Sequence, residues 1–267
     1  FSLLLLNLQS FPQQVTGLSG WNIYLDPGHS KDENMGIYGY SEAKKNLRVG
    51  LNFRQMLLDW TDIDTVYICR TNDQQSVSLS DRTTHANSVG AAWYHSIHSN
   101  ASSSPSSNNT LLLWGQYENN LEKVPNGGKA MSALMIPLLT SGMRIPTIGS
   151  YGDHSFYGTC PDTRPCPYLY INYYTNMPSE LSEAGFHTNP TQNQLNMNAS
   201  WKRLEAKTMF WTILKYHNLL RPYVGTAAGI IKDVESGLAI NGAIVSLNGQ
   251  SDTTDTWESL FHLYSSD

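Results

Sequence analysis

The chain has 267 residues, a net charge of −5 and 40% hydrophobic residues, enough for one large domain with a sizeable core and a smaller unit beside it. The acidic balance and the lack of any basic run exclude an electrostatic nucleic-acid binder. No apolar stretch reaches the roughly 18 residues that a membrane-spanning helix needs. Only 15% of residues are charged, a balance common in extracytoplasmic proteins.

Residues 1–20 open with a short apolar run and read as a signal remnant or spacer. Residues 22–26 form a short apolar strand that stops at the turn pair Pro27-Gly28. Ser41 can cap a helix that runs to Trp60. Within it Phe53, Met56, Leu57 and Trp60 mark one buried face, continued by Leu47 and Leu51. Residues 66–69 read as the next strand, with Cys69 an inert core thiol. A helix is expected at 80–89, strands at 92–98 and 111–114, and a helix at 128–139.

A long loop rich in Gly, Tyr and Pro is expected from 140 to 177. Cys160 and Cys166 flank its Pro-rich centre and can close a small disulfide, but lack the C-x-x-C spacing of a redox or zinc site. Its tyrosines, Tyr151, Tyr157, Tyr168, Tyr170, Tyr173 and Tyr174, fit ordinary packing, with stacking on a sugar or peptide as the sharper alternative. Residues 179–183 read as a strand and 197–220 as one long closing helix. Strands alternating with helices predict an α/β fold, a mostly parallel mixed sheet flanked by helices, over residues 21–221.

The chemistry gathers at strand ends. Segments Leu25-Asp26-Pro27-Gly28-His29, Ser96-Ile97-His98-Ser99-Asn100-Ala101 and Ser182-Glu183-Ala184-Gly185-Phe186 each read as an apolar strand ending in a metal-capable or acid–base residue. Glu42 lies 13 positions after His29 at a helix start. In open α/β sheets ligands bind beyond the carboxyl ends of the strands, so all four groups should reach one rim. Two imidazoles and a carboxylate can hold one zinc ion, leaving a position open for water. A second carboxylate can activate that water.

At these residues the chain resembles the zinc-dependent N-acetylmuramoyl-L-alanine amidases, the type 3 family of cell-wall amidases, over residues 22–220. The resemblance continues through Ser41-Glu42-Ala43-Lys44-Lys45-Asn46-Leu47, Arg70-Thr71-Asn72-Asp73, Leu79-Ser80-Asp81-Arg82, Ala86-Asn87, Asn176-Met177-Pro178 and Asn189-Pro190. It implies that His29, Glu42 and His98 ligate Zn2+ and that Glu183 is the general base. The bond cleaved would join the lactyl group of muramic acid to L-alanine of the peptidoglycan stem. It also implies a secreted or envelope (periplasmic) location, and we expect a monomer. Ser30 stands where a Gly usually follows the metal His, and Ala184 replaces a larger aliphatic residue. Both departures bear on substrate preference, not on reaction type.

Competing readings concern neighbouring residues. Asp32 and Glu33 are the rival carboxylate ligands. His95 and Glu180 lie three residues from His98 and Glu183, hence on the opposite strand face, and read as structural. His187 follows Glu183 by four positions and is a candidate to touch the site, whereas His154 is unassigned. Asp26 or Ser99 is a candidate to orient a ligand imidazole. A zinc carboxypeptidase is disfavoured: its first His and Glu ligands lie three residues apart, and no Arg stands near these motifs to clamp a terminal carboxylate. A non-catalytic wall-binding module is the second rival.

From Arg221-Pro222 the pattern changes to period two with Gly punctuation. The spacing of Asp233, Gly237, Gly242 and Ala243 resembles the opening of a carboxypeptidase regulatory-like β-sandwich. Residues 222–267 are too few for seven strands, so a truncated sandwich is expected there.

Overall fold

The computed structural model describes residues 14–222, 224–238, 240–247, 249–254 and 260–266. The reading of residues 1–13 lies outside them. The first strand, β1 (Asn22–Pro27), is followed by α1 (Glu42–Trp60), β2 (Thr65–Ile68), α2 (Leu79–Ser88), β3 (Tyr94–Asn100) and β4 (Thr110–Trp114). After α3 (Gly128–Met143) come β5 (Thr147–Gly152), α4 (Asp153–Tyr157), α5 (Tyr170–Tyr174) and β6 (Ser179–Phe186). Helices α6 (Pro190–Met197) and α7 (Ala199–Tyr216) complete the domain.

Six strands form one sheet in the order β2-β1-β3-β6-β4-β5. Strands β1, β2, β3 and β6 run parallel, β4 runs antiparallel to β6, and β5 runs parallel to β4. The expected mostly parallel mixed sheet is what forms. Alternation splits the side chains between two cores. Ile23, Leu25, Trp93 and Ile97 face a large cluster with Phe53 and Leu57 of α1, Met131 and Met135 of α3, and Phe210 and Ile213 of α7. Tyr24, Tyr94 and Leu181 face a smaller cluster with Ala86 of α2 and Ile171 of α5.

Ser41 caps α1 as its position implies, its hydroxyl accepting the Lys44 N–H at 3.2 Å. Two expectations are corrected. The segment 140–177 is not one loop: α3 continues to Met143, and β5, α4 and α5 follow. Strand β5 (TIGSYG) carries two glycines and little apolar alternation. It is the sheet edge, where one side needs no partner and the hydrophobic pattern fades. The closing helix is two helices. Asn198 accepts the Trp201 N–H at 2.8 Å, ending α6 and capping α7 in one residue.

The tail carries β7 (Val224–Ile230), β8 (Ile244–Leu247), β9 (Gln250–Thr253) and β10 (Leu260–Ser266). Strands β7 and β10 pair antiparallel, as do β8 and β9, giving two two-stranded sheets among the described residues. No helix among the described residues is long and apolar enough to cross a membrane.

Candidate functional site

Strand parity places the site. In the β3–β6 register His98 stands opposite Glu183, and His95 stands opposite Glu180. The first pair lies toward the carboxyl ends of its strands, which run on to Asn100 and Phe186. The second points the other way, into the face that α3 covers. There Glu180 accepts from Trp93 Nε1 at 3.2 Å and from Ser132 Oγ at 3.0 Å, and lies 3.1 Å from His95 Nδ1. All three partners are fully buried around that buried carboxylate, which makes His95 and Glu180 part of the packing, as expected from their spacing.

His29 follows β1 through the Pro27-Gly28 turn in a left-handed conformation, φ 62°, which costs a non-glycine residue about 1–2 kcal/mol. Two arginines hold that turn. Arg82 donates to Pro27 O at 2.9 Å and His29 O at 2.7 Å, and pairs with Asp26 at 2.5 Å. Arg70 donates to Pro27 O and Gly28 O, each at 3.0 Å, and to Ala43 O at 2.7 Å. The sequence alone suggests no Arg near the motifs. The fold brings two, each engaged with backbone carbonyls and Arg82 also with a carboxylate. Gly28 is glycine because a Cβ there would lie 2.2 Å from the His98 ring.

Glu42 opens α1 and is 2% exposed. Its Oε2 lies 3.2 Å from His29 Nε2, and its Oε1 lies 2.9 Å from His98 Nδ1. The Ser99 N–H and Asn46 Nδ2 donate to Oε1 at 2.9 and 3.2 Å. Asn34 Nδ2 donates to Oε2 at 2.7 Å and lies 3.0 Å from His29 Nε2. The two imidazole rings meet edge to face, 4.9 Å between centroids. One ligand atom each from His29, Glu42 and His98 fall within 4.8 Å of one another. Two imidazoles and one carboxylate at this separation fit a tetrahedral zinc with an open position.

The two carboxylates diverge electrostatically. Burial alone would raise the Glu42 carboxyl, but hydrogen bonds from His29 and His98, with their charges, hold it well below the usual range. Burial raises Glu183 well above that range, and the neighbouring Glu42 charge pushes the same way against Lys45. Glu183 Oε2 is buried and has no hydrogen-bond partner among the described residues. Paired acids whose environments separate their pKa values are the usual mark of distinct acid–base roles.

The remaining candidates sort by contact. Asp32 pairs with Lys44 at 2.5 Å, away from the imidazoles. Glu33 Oε2 accepts the Ser30 N–H at 3.0 Å and lies 3.6 Å from His29 Nδ1. Asp26 is engaged by Arg82 and Ser96, so it orients the turn and not an imidazole. Ser99 donates its hydroxyl to Gly185 O at 3.2 Å and its N–H to Glu42. His187 reaches the site: its Nδ1 lies 2.9 Å from Ser99 O and 3.7 Å from Glu42 Oε2.

Two groups escaped the sequence reading, Asn34 and Lys45, and the structure gives a third, Tyr157 of the tyrosine-rich stretch, a place near Glu183. Asn34 bridges His29 and Glu42 from an irregular loop with no pattern to betray it. Lys45 Nζ donates to His98 O at 3.0 Å and to Glu205 at 2.6 Å. Tyr157 senses Glu183: burial and that carboxylate's charge push its hydroxyl up to about 12. Its ring stacks on Tyr168 at 3.8 Å. Arg164 lies 4.9 Å over the ring of Tyr173. The tyrosine-rich segment is thus packed largely on itself, with Tyr157 near enough to Glu183 to feel its charge.

Comparison with known proteins places this geometry. A family model described as Amidase_3, N-acetylmuramoyl-L-alanine amidase, matches residues 23–214. An 80-residue segment is 42% identical to the N-acetylmuramoyl-L-alanine amidase CwlM of Bacillus licheniformis, and 38% identical to the sporulation-specific N-acetylmuramoyl-L-alanine amidase of Bacillus subtilis. That segment is 30% of this chain and 31% of each relative, so the match spans about a third of their length. Among solved structures, the catalytic domain of CwlV from Bacillus (Paenibacillus) polymyxa superposes with a TM-score of 0.60 at 21% identity, over 74% of this chain and 98% of that one. The N-acetylmuramoyl-L-alanine amidase of Clostridium difficile 630 does so at 0.62 and 22%, over 74% and 97%. At these identities the likeness speaks to the fold. The matched segment takes in every strand of the large sheet except the first residue of β1, and all four residues at its rim, and on that match the chain belongs to the Amidase_3 family.

Proposed function

We propose that this chain hydrolyses the amide between the lactyl group of N-acetylmuramic acid and L-alanine of the peptidoglycan stem, with one zinc ion held by His29, Glu42 and His98. The observation that carries the reading is the meeting of those three groups within 4.8 Å beside Glu183, whose buried Oε2 has no partner among the described residues. A zinc ion held by these three residues would supply Lewis acidity, lowering the pKa of a water and polarising the scissile carbonyl.

The chain's own residues do the rest. Glu183 takes the proton of the attacking water and passes it to the leaving amine of L-alanine. Its pKa, raised by burial and by the Glu42 charge, makes it a stronger base than an ordinary carboxylate, and such a group typically contributes about 10²–10⁴-fold. The Arg70 and Arg82 clamps hold the turn that aims His29. The Ser99 N–H and Asn46 hold Glu42 so that its charge faces the imidazoles. Peptidoglycan as substrate implies an extracytoplasmic place of work.

The test is mass spectrometry of products from purified peptidoglycan, with and without a zinc chelator. Stem peptides with a new L-alanine amino terminus, formed only with metal and lost in Glu183→Gln, are expected. Shortened stems still joined to muramic acid would replace the reading with a peptidase. No metal-dependent product would leave a wall-binding role.

A further inference from the structure

A second group of metal-capable side chains lies away from the rim residues. Past a register shift between Thr110 and Leu111, strands β4 and β5 pair to their ends, Trp114 opposite Gly152. The chain just beyond each end therefore meets the other. Gln116 accepts the Ser155 N–H on its Oε1 at 2.8 Å, and its own N–H donates to Asp153 at 3.1 Å. Asp153 also accepts from Leu169 N at 2.9 Å and Asn172 Nδ2 at 3.0 Å, tying α4 to the segment that returns. Glu118, beyond the end of β4, and His154, in α4, are thus both brought to the Cys160–Cys166 disulfide.

Ligand atoms of His154, Cys160 and Cys166 all lie within 4.8 Å of one another. Glu118 Oε1 lies 3.2 Å from Cys160 Sγ. His154 Nδ1 is buried and has no hydrogen-bond partner among the described residues. In the disulfide state the sulfur has no proton to give the exposed Glu118 carboxylate, and His154 Nδ1 makes no hydrogen bond among the described residues. A buried polar atom without a partner costs about 1–3 kcal/mol. Two sulfurs, one imidazole and one carboxylate are a complete tetrahedral donor set. Around zinc they sit about 2.0–2.3 Å from the ion, hence roughly 3.3–3.8 Å from one another.

We propose that Cys160, Cys166, His154 and Glu118 form a second, thiol-dependent binding site for a soft divalent cation such as Zn2+, alternative to the disulfide. A dithiol reductant opens the bond: two electrons and two protons convert it to two thiols, and the dithiol closes to its own disulfide. The cation then displaces both thiol protons to solvent and takes two thiolates. The spacing of the cysteines alone conceals the site, because the other two ligands come from different strand ends. Tyr157 lies three residues before Cys160 and is the aromatic group that senses Glu183, so the site sits on the segment that borders the proposed catalytic carboxylate.

The test uses the full chain and Co2+ alone as probe, under anaerobic conditions. Thiolate-to-cobalt charge transfer is blind to a histidine–carboxylate centre, so success or failure here is separate from the function proposed above. After reduction by dithiothreitol and its removal, one additional equivalent of Co2+ per chain with a charge-transfer band is expected. The oxidised protein should show neither. Cys160→Ser/Cys166→Ser should abolish the band with its helical circular dichroism intact, and His154→Ala should weaken binding by more than ~10-fold, the least that loss of even an outer partner costs. A reduced protein that takes up no extra cation overturns the proposal. So does a band that survives the double serine variant, which would assign it to Cys69, or an affinity unchanged in His154→Ala.

Discussion

Lys45 Nζ and Glu205 Oε1 lie 2.6 Å apart, both fully buried, 160 positions from each other in the chain. The same ammonium donates to the backbone carbonyl of His98. The first helix and the last are therefore joined beneath the site, and the joint holds one of the imidazoles by its main chain. Burial raises the Glu205 carboxyl, and Lys45 counters that shift.

Removing one partner leaves a charge uncompensated. Lys45→Met should cost about 3–5 kcal/mol, whereas Lys45→Met with Glu205→Leu should recover much of it, since an apolar pair can replace a buried ion pair at little cost. Urea unfolding of the two variants decides this. Equal losses in both would show that packing, not charge, dominates the joint.

Gly28 and His98 offer a way to disturb the proposed metal centre without replacing a proposed ligand. A methyl group at Gly28 would lie 2.2 Å from the imidazole. Gly28→Ala should displace that ring and lower zinc content at least ~10-fold, the scale of losing an outer support, while overpacking costs about 1–3 kcal/mol of stability. Metal analysis and thermal unfolding together read both effects. Full zinc occupancy in this variant would mean that His98 is not needed for binding.

Glu42→Gln and Glu183→Gln should separate by readout. The first should lose zinc. The second should keep zinc and lose about 10²–10⁴ in kcat. Because a base must be deprotonated, and Glu183 is raised above its ordinary 4.5, the rate should fall on the acid side at a pH above the usual carboxylate range. A rate that stays flat down to pH 4.5 would remove Glu183 from that role.

Asp26 gives the opposite sign in stability. Burial would raise its carboxyl, but the Arg82 charge and hydrogen bond bring it from 3.8 to about 2. A depressed folded pKa stabilises above the unfolded value, and the effect is lost as pH falls through the folded one. The shift corresponds to about 2 kcal/mol. The difference in unfolding free energy between the wild type and Asp26→Asn should therefore shrink as pH drops from about 4 to about 2. A difference that stays constant across that window would contradict the assignment.

His29, Glu42, His98 and Glu183 stand out in the sequence as strand-end and helix-start groups and through the family resemblance, and the structure places ligand atoms of the first three within 4.8 Å of one another. The part read from pattern is local. Strand parity separates His98 from His95 and Glu183 from Glu180, a turn pair ends the strand before His29, and a serine cap fixes where Glu42 enters its helix. Each of these is set by residues a few positions apart. The mixed sheet follows from the same alternation of strand and helix patterns.

What needed the tertiary structure lies between distant segments. No periodicity pairs Lys45 with Glu205, and a lysine inside a buried helix face is legible only once its acceptor is in place. Arg70 and Arg82 become turn clamps because strand and helix ends converge on the same carbonyls. The edge strand β5 has a pattern too weak to announce itself, and its pairing with β4 is what sets Glu118 and His154 beside the two cysteines. Local chemistry determines which residues end a strand or cap a helix. Only packing decides which buried charges and unpaired donors meet, because burial makes an unmatched polar group too costly to leave alone.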